Sequence, residues 1–244
     1  MTADPELIVF EGTEPLFRGA TDAIVLQLLV AAAARGVCSL VLSGGMTPRG
    51  VYTQLAVETR LDWARVHVFW GDERHVPPDH PDSNFRMANE TLLSKVPIPP
   101  GNIHRVRTDD SNAERAANEY EEVIRTFFSL TAGEFPRFDV VLLGLGTDAH
   151  TASLFPGSPL LTEQRPIVGA VRVDHLNSTR ITLTPPAINH AACVMFLVSG
   201  EAKAEALRAV LREPSDTQRR PAQAIRPTSG RLIFMVDAEA ASLL

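Results

Sequence analysis

The sequence predicts an α/β protein: a mainly parallel sheet flanked by helices on both faces, three layers in all, with allowance for a small second lobe from the latter half. Three observations lead there. Apolar, β-branched runs recur from end to end of the chain. Segments with helical spacing alternate with them. The runs are largely apolar at successive positions, as strands buried on both faces require. Because the alternation never stops, residues 1–244 are read as one domain.

The first run is ELIVF, followed by a helical segment over Leu16–Arg35. Its greasy centre, Ala23–Ala34, contains Gln27 and is too short to span a bilayer, so it reads as a core helix. CSLVLSG leads into Pro48–Val57, and RVHVFWGD into helices over Asn84–Leu93 and Ala113–Leu130. FDVVLLGLG, PIVGAVRV and RITLT follow, then ACVMFLVSG with a helix over Ala202–Leu211, and RLIFMVD ends the pattern. Pro-rich VPPDHP, VPIPPGN and EPSDTQRRPAQAIRPTSG are loops rather than domain linkers, because the alternation resumes after each.

With 244 residues, 45% hydrophobic and 21% charged, the chain has ordinary soluble composition and length enough for an ample core. A net charge of −6 argues against a general nucleic-acid or anionic-membrane surface. An anionic small substrate would have to be met by a few local basic residues. Cys38 and Cys193 each sit in an apolar run and read as buried thiols, too few for a disulfide scaffold or a thiolate zinc site. The N-terminal MTADPELIVF carries acids rather than a basic stretch, so no signal peptide is expected and the location is read as cytoplasmic.

Several strands end in polar loops: CSLVL in SGGMTP, VHVFW in GDER, DVVLLGLG in TDAHTAS, and MFLV in SGEAK. In an open parallel sheet the ligand crevice lies beyond the carboxyl ends of the strands. Four such ends would face one crevice.

In SGGMTP, adjacent glycines let the backbone approach a ligand, and N–H groups at a helix start with the Ser43 and Thr47 hydroxyls would seat a phosphate. A tight strand–helix turn with a capping threonine explains the same residues equally well. In GDER, Arg74 suits phosphate oxygens through its guanidinium fork, whereas Glu73 fits better in an ion-pair network that fixes the loop. His75, Asp79, His80 and Asp82 could suggest a metal, but prolines and irregular spacing favour a solvated loop.

The stretch GLGTDAHTASLFPG is the most informative. A turn needs its glycines but not Asp148 and His150. Histidine can take a proton from water near neutrality, and an aspartate two residues away can fix its tautomer. The alternative, Asp148 and Thr151 capping a helix with His150 in its first turn, is the weaker one, since this histidine joins three other polar strand ends. Arg180 and Lys203 could supply cations for a dianionic phosphate. Lys203 could equally be a surface lysine near Glu205.

Taken in order, SGGMTP, WGDERHVP, DSNFRMANETLL, GLGTDAHTASLFPGSP, RITLTPPAIN and FLVSGEAKA resemble the blocks of the 6-phosphogluconolactonase family, which is grouped with the glucosamine-6-phosphate deaminase/isomerases. The resemblance runs from about Leu7 to Asp237. It implies hydrolysis of 6-phospho-D-glucono-1,5-lactone to 6-phosphogluconate, the second step of the oxidative pentose phosphate pathway, with no cofactor or metal. It assigns His150 as the base that activates water, Asp148 as the aspartate beside it and Asp72 as an acid lining the pocket. Phosphate binding falls to Ser43, Gly44, Gly45 and Thr47, with Arg74, Arg180 and Lys203 as cationic partners.

The partner expected is therefore a small sugar-phosphate lactone, without nucleic acid or membrane, on a monomer or weak homo-oligomer. One departure stands out. The family usually has glycine directly before this histidine, where this chain has Ala149. The rival readings are a glucosamine-6-phosphate deaminase/isomerase, whose further acid after the histidine is missing from HTASLFPG, and a non-catalytic sugar-phosphate-binding regulator.

Overall fold

The computed structural model describes residues 5–109 and 112–244. The N-terminal tip at 1–4, part of the signal-peptide reading, lies outside the described residues. Nine strands and six helices follow the expected alternation: β1 (Glu6–Phe10), α1 (Thr13–Arg35), β2 (Cys38–Leu42), α2 (Met46–Leu55), β3 (Val66–Trp70), β4 (Asp72–Arg74), α3 (Asn84–Thr91), α4 (Ala113–Phe128), β5 (Val140–Leu143), β6 (Val168–Val173), β7 (Ser178–Leu183), α5 (Pro185–Asn189), β8 (Cys193–Val198), α6 (Ala204–Arg212) and β9 (Arg231–Asp237). Six strands form a sheet in the order β1-β9-β8-β5-β2-β3. Every pairing in it is parallel.

Its central strands are buried at every position, which is why CSLVL, VVLL and CVMFLV are apolar throughout. Helix α1 packs on β1, β2, β5, β9 and α2, burying Leu16, Ala20, Ile24, Val25, Leu28 and Ala31 in the core. It is longer than its greasy centre, and by length and composition alone could cross a bilayer.

PIVGAVRV and RITLT do not join this sheet. With DER they form a second, three-stranded sheet, β4-β7-β6, that is antiparallel throughout. The reason is connection length. Only residues 174–177 separate β6 from β7, enough for a hairpin and far too few for a parallel crossover. The small lobe is thus not built from the latter half alone: it draws one strand, β4, from GDER in the first half of the chain, a stretch with the polarity of a loop. Gly71 makes the transfer: its N–H donates to Leu42 O in the main sheet at 2.9 Å, and its carbonyl accepts from Leu183 N of β7 at 2.8 Å.

The order of the main sheet places a crevice. From β2 the chain moves outward to β3, then returns to place β5 on the other side of β2. Adjacent strands whose connections leave in opposite directions open a gap beyond their carboxyl ends. Two buried tyrosines fix the strand ends there. Tyr52 of α2 donates to Ser43 O at 2.7 Å and accepts from Ser43 N at 2.8 Å. Tyr120 of α4 does the same at Trp70, at 3.0 and 2.7 Å.

A second feature of β3 affects stability. His67 Nδ1 lies 3.0 Å from His104 Nε2, and the His104 ring stacks on Phe69 with centroids 4.4 Å apart. Burial pushes both imidazoles down, His104 from 6.5 to about 4, with the neighbouring His67 adding to the effect. The unfolded chain therefore binds more protons between these values, so stability is full above about 6.5 and is lost as pH falls toward about 4. Melting measured at pH 7 and pH 5 should show a lower Tm at pH 5, and His104→Phe should narrow that difference. An unchanged difference in the variant contradicts the assignment.

Candidate active site

The loop after β2 approaches its neighbours closely. Gly45, at φ 107°, is the N-cap of α2, and no side chain caps this helix. Thr47 is therefore not the capping residue; its hydroxyl meets Ser199 Oγ at 2.7 Å instead. A Cβ on Gly44 would lie 2.1 Å from Asn84 Oδ1, so the packing of the loop on α3 requires glycine. The N–H groups of Gly44 and Gly45 have no partner among the described residues. Beside them the first turn of α2 presents its dipole.

In β4 the alternation of strand faces separates two acids. Glu73 is buried and accepts from the N–H groups of Arg74, Asn84 and Phe85 at 2.8, 2.7 and 2.7 Å, and from Ser83 Oγ. It anchors the start of α3 as a fixing residue, but through these hydrogen bonds and not through the ion-pair network expected, for no ion pair of Glu73 occurs among the described residues. Asp72 lines the cleft, accepting from Ser153 Oγ at 2.6 Å, while its carbonyl accepts from Asn84 Nδ2 at 2.9 Å.

Arg74 and Arg180 are direct cross-strand partners of β4 and β7. Like charges placed opposite one another repel. The Nε of each is buried without a partner, although Arg74 Nη1 donates to Asp82 O at 2.7 Å. Burial, then the charge of Arg74, pushes the Arg180 pKa down. Arg74 lines the cleft, whereas Arg180, its neighbour across the strands, is not among the lining residues. Lys203 lines the cleft from the β8 side. It is not held by Glu205, which pairs with Arg208.

No helix starts at 144–157; the segment is a series of turns. Gly146 N donates to His150 O at 2.8 Å, Ala149 N to Gly146 O at 3.0 Å, and Thr151 Oγ1 to Gly144 O at 2.9 Å. The helix-capping alternative for Asp148 and Thr151 is thereby excluded. His150 Nδ1 lies 2.5 Å from Asp148 Oδ1. A carboxylate can only accept, so Nδ1 carries a proton, and whenever the ring is neutral Nε2 keeps a lone pair. Burial pushes the Asp148 carboxyl up, but the charge and hydrogen bond of His150 outweigh it and hold it below the ordinary carboxylate range. A Cβ on Gly146 would fall 2.1 Å from His150 Nδ1, so this close approach also requires glycine.

These pieces enclose a cleft of about 360 Å³. It brings together Ser43, Gly44, Gly45, Thr47, Asp72, Arg74, His150 and Lys203. Four larger hollows among the described residues, about 710, 650, 540 and 490 Å³, contain none of these residues. His75, Asp79, His80 and Asp82 stay in the loop after β4, and among the described residues no three His, Cys, Asp or Glu side chains gather as a metal site. Asn84 and Ser199 also line the cleft, and Ser153 holds Asp72. None was singled out from sequence. The signal for Asn84 is its place in DSNFRMANETLL, directly after the Asp-Ser pair that opens α3.

An open parallel α/β sheet with a polar cleft at its switch point, an oriented imidazole on one wall and unpaired N–H groups on another, defines a class of small-anion-binding α/β proteins with acid–base capacity. Residues 12–234 match the model of glucosamine-6-phosphate isomerases/6-phosphogluconolactonase, and the chain belongs to that family. It is 43% identical over 236 residues to the 6-phosphogluconolactonase of Synechocystis sp., covering 97% of each chain. To that of Nostoc sp. it is 44% identical over 223 residues, covering 91% of each. The solved structure of 6-phosphogluconolactonase from Trypanosoma brucei superposes with a TM-score of 0.89 at 30% identity, covering 100% of both chains.

Ala149, where glycine was the family expectation, adopts φ 62°. A non-glycine residue in this left-handed region costs about 1–2 kcal/mol, offset in part by glycine's greater freedom when unfolded. Ala149→Gly should therefore raise Tm by roughly 2–4 °C, the shift expected for about 1 kcal/mol at this chain length. A lower Tm contradicts the strain.

Proposed function

We propose that this chain hydrolyses 6-phospho-D-glucono-1,5-lactone to 6-phospho-D-gluconate, the second step of the oxidative pentose phosphate pathway. The observation that carries the reading is the contact of His150 Nδ1 with Asp148, which leaves Nε2 of the neutral ring as the proton acceptor, on a side chain that lines the same cleft as Gly44 and Gly45. The reaction named for its relatives suits this geometry. A lactone is an activated ester, so an imidazole and a water suffice without a covalent nucleophile or cofactor.

In this reading the substrate phosphate sits on the N–H groups of Gly44 and Gly45 and the hydroxyls of Ser43 and Thr47, neutralised by Arg74, Arg180 and Lys203. A dianion there relieves the Arg74–Arg180 repulsion, which is the physical case for including Arg180 although it is not among the lining residues. Anchoring the phosphate places C1 against His150, so binding far from the reacting bond becomes rate. His150 Nε2 takes a proton from water as its oxygen bonds to C1. The tetrahedral oxyanion needs an N–H or a cation aimed at it, for which Gly44, Gly45 and Arg74 are the candidates. Collapse breaks the bond from C1 to the ring oxygen, and the imidazolium returns its proton to that leaving oxygen. Asp72, held by Ser153, is assigned to a sugar hydroxyl. The whole chain is proposed to act as one cytoplasmic domain, monomeric or weakly self-associating.

Two variants test the roles. His150→Ala should lower kcat at saturating lactone by about 10²-fold or more with the fold intact, as loss of general-base catalysis does. Full activity in the folded variant contradicts it. Arg180→Ala should chiefly raise KM, and an unchanged KM moves the phosphate elsewhere. Proton release from fresh lactone above the spontaneous background separates an enzyme from a binder, and ammonia release from glucosamine 6-phosphate would indicate the isomerase branch instead.

A further inference from the structure

We propose that Phe155 is a positioning residue for His150, its ring holding the imidazole plane so that Nε2 keeps its direction into the cleft; this rests on the lactonase reading of that cleft. The two rings stack with centroids 4.2 Å apart and planes 30° apart. The need for such a contact follows from the rest of the site. Asp148 fixes one atom of the imidazole, and a single hydrogen bond leaves the ring free to rock about it. On the Nδ1 side the Gly146 backbone comes so close that no Cβ could fit. A flat apolar surface against one face removes the remaining freedom.

Phe155 is only 9% exposed, yet it stands outside the main hydrophobic core, to which its neighbours Leu154 and Leu160 belong. A buried phenylalanine ordinarily contributes to the core. Among the described residues, the ring contacts of this one are with two imidazoles. His175, in the turn between β6 and β7, meets it nearly edge-on, with centroids 5.5 Å apart and planes at 77°. The hairpin of the small sheet therefore backs Phe155, and Phe155 backs His150. The aromatic face has a second consequence. It attracts the positive charge the imidazole gains on taking a proton more than it attracts the neutral ring, an interaction that strengthens as the reaction proceeds.

The test separates the ring from its volume. Phe155→Leu should lower kcat for fresh 6-phosphogluconolactone about tenfold or more with KM within about twofold, whereas Phe155→Tyr should keep kcat within about twofold, since small misplacements of a reacting group are costly in rate. A general loss of packing would not be rescued by tyrosine alone while sparing KM. The stacking is also read without substrate. In the wild-type protein the His150 Cε1 proton, assigned by its absence in His150→Ala, should be shifted upfield by the Phe155 ring current. Phe155→Tyr should keep that shift and Phe155→Leu should lose it. An unshifted proton in the wild type, or full kcat in folded Phe155→Leu, overturns the proposal. Wild-type protein that hydrolyses no lactone sinks the function reading instead, and the ring-current comparison still decides the stacking.

Discussion

The hydrogen bond between Asp148 and His150 is the interaction on which the site depends. Two residues apart, these side chains would point to different faces of a helix and stand well apart along a strand. They meet because Ala149 takes a left-handed conformation between them and Gly146 leaves room for the ring. Three backbone bonds hold that conformation: Gly146 N to His150 O, Ala149 N to Gly146 O, and Ala222 N to Ala149 O. The last ties the turn to the segment before β9, so the strained residue is over-determined by contacts from distant parts of the chain. With the carboxylate fixed at Nδ1, the imidazole has one nitrogen left, and that nitrogen can only accept a proton.

The sheet supplies the second condition, a place for that nitrogen to act. Parallel strands β2 and β5 separate their loops at the switch point, while tyrosine hydroxyls pin the ends of β2 and β3. Gly71 then carries the chain from one sheet to the other. This transfer lets a short antiparallel sheet present Arg74 and Arg180 as adjacent cations beside a loop built on the parallel one. Their mutual repulsion and unsatisfied Nε atoms are unfavourable, and the proposed phosphate would offset both.

Much of this was legible in the sequence. Fully apolar runs betrayed the buried strands, and polar residues at the ends of four of them pointed to one crevice. What could not be read had physical reasons. DER is too short and too polar to announce a strand; its buried Glu73 is satisfied by N–H groups of α3, a long-range fact. VGAVRV is largely apolar, like the parallel strands, but STRITL has only Ile181 and Leu183 as apolar residues, and with the four residues between the two strands that alternation suits a hairpin. The missing capping threonine depended on Ser199, far along the chain. Asn84, Ser153 and Phe155 are ordinary residue types whose importance comes wholly from what they touch.

Water activation by His150 requires one proton to sit on Nδ1, and histidine ring nitrogens report its location directly. ¹⁵N-detected correlation spectra of the resting protein, with His150 assigned by substitution and recorded with the ring neutral, distinguish the two tautomers. The expected result is a protonated Nδ1 beside Asp148 and a bare Nε2. A neutral ring that carries its proton on Nε2 would contradict the account, because the nitrogen facing the cleft would then have no lone pair with which to activate water.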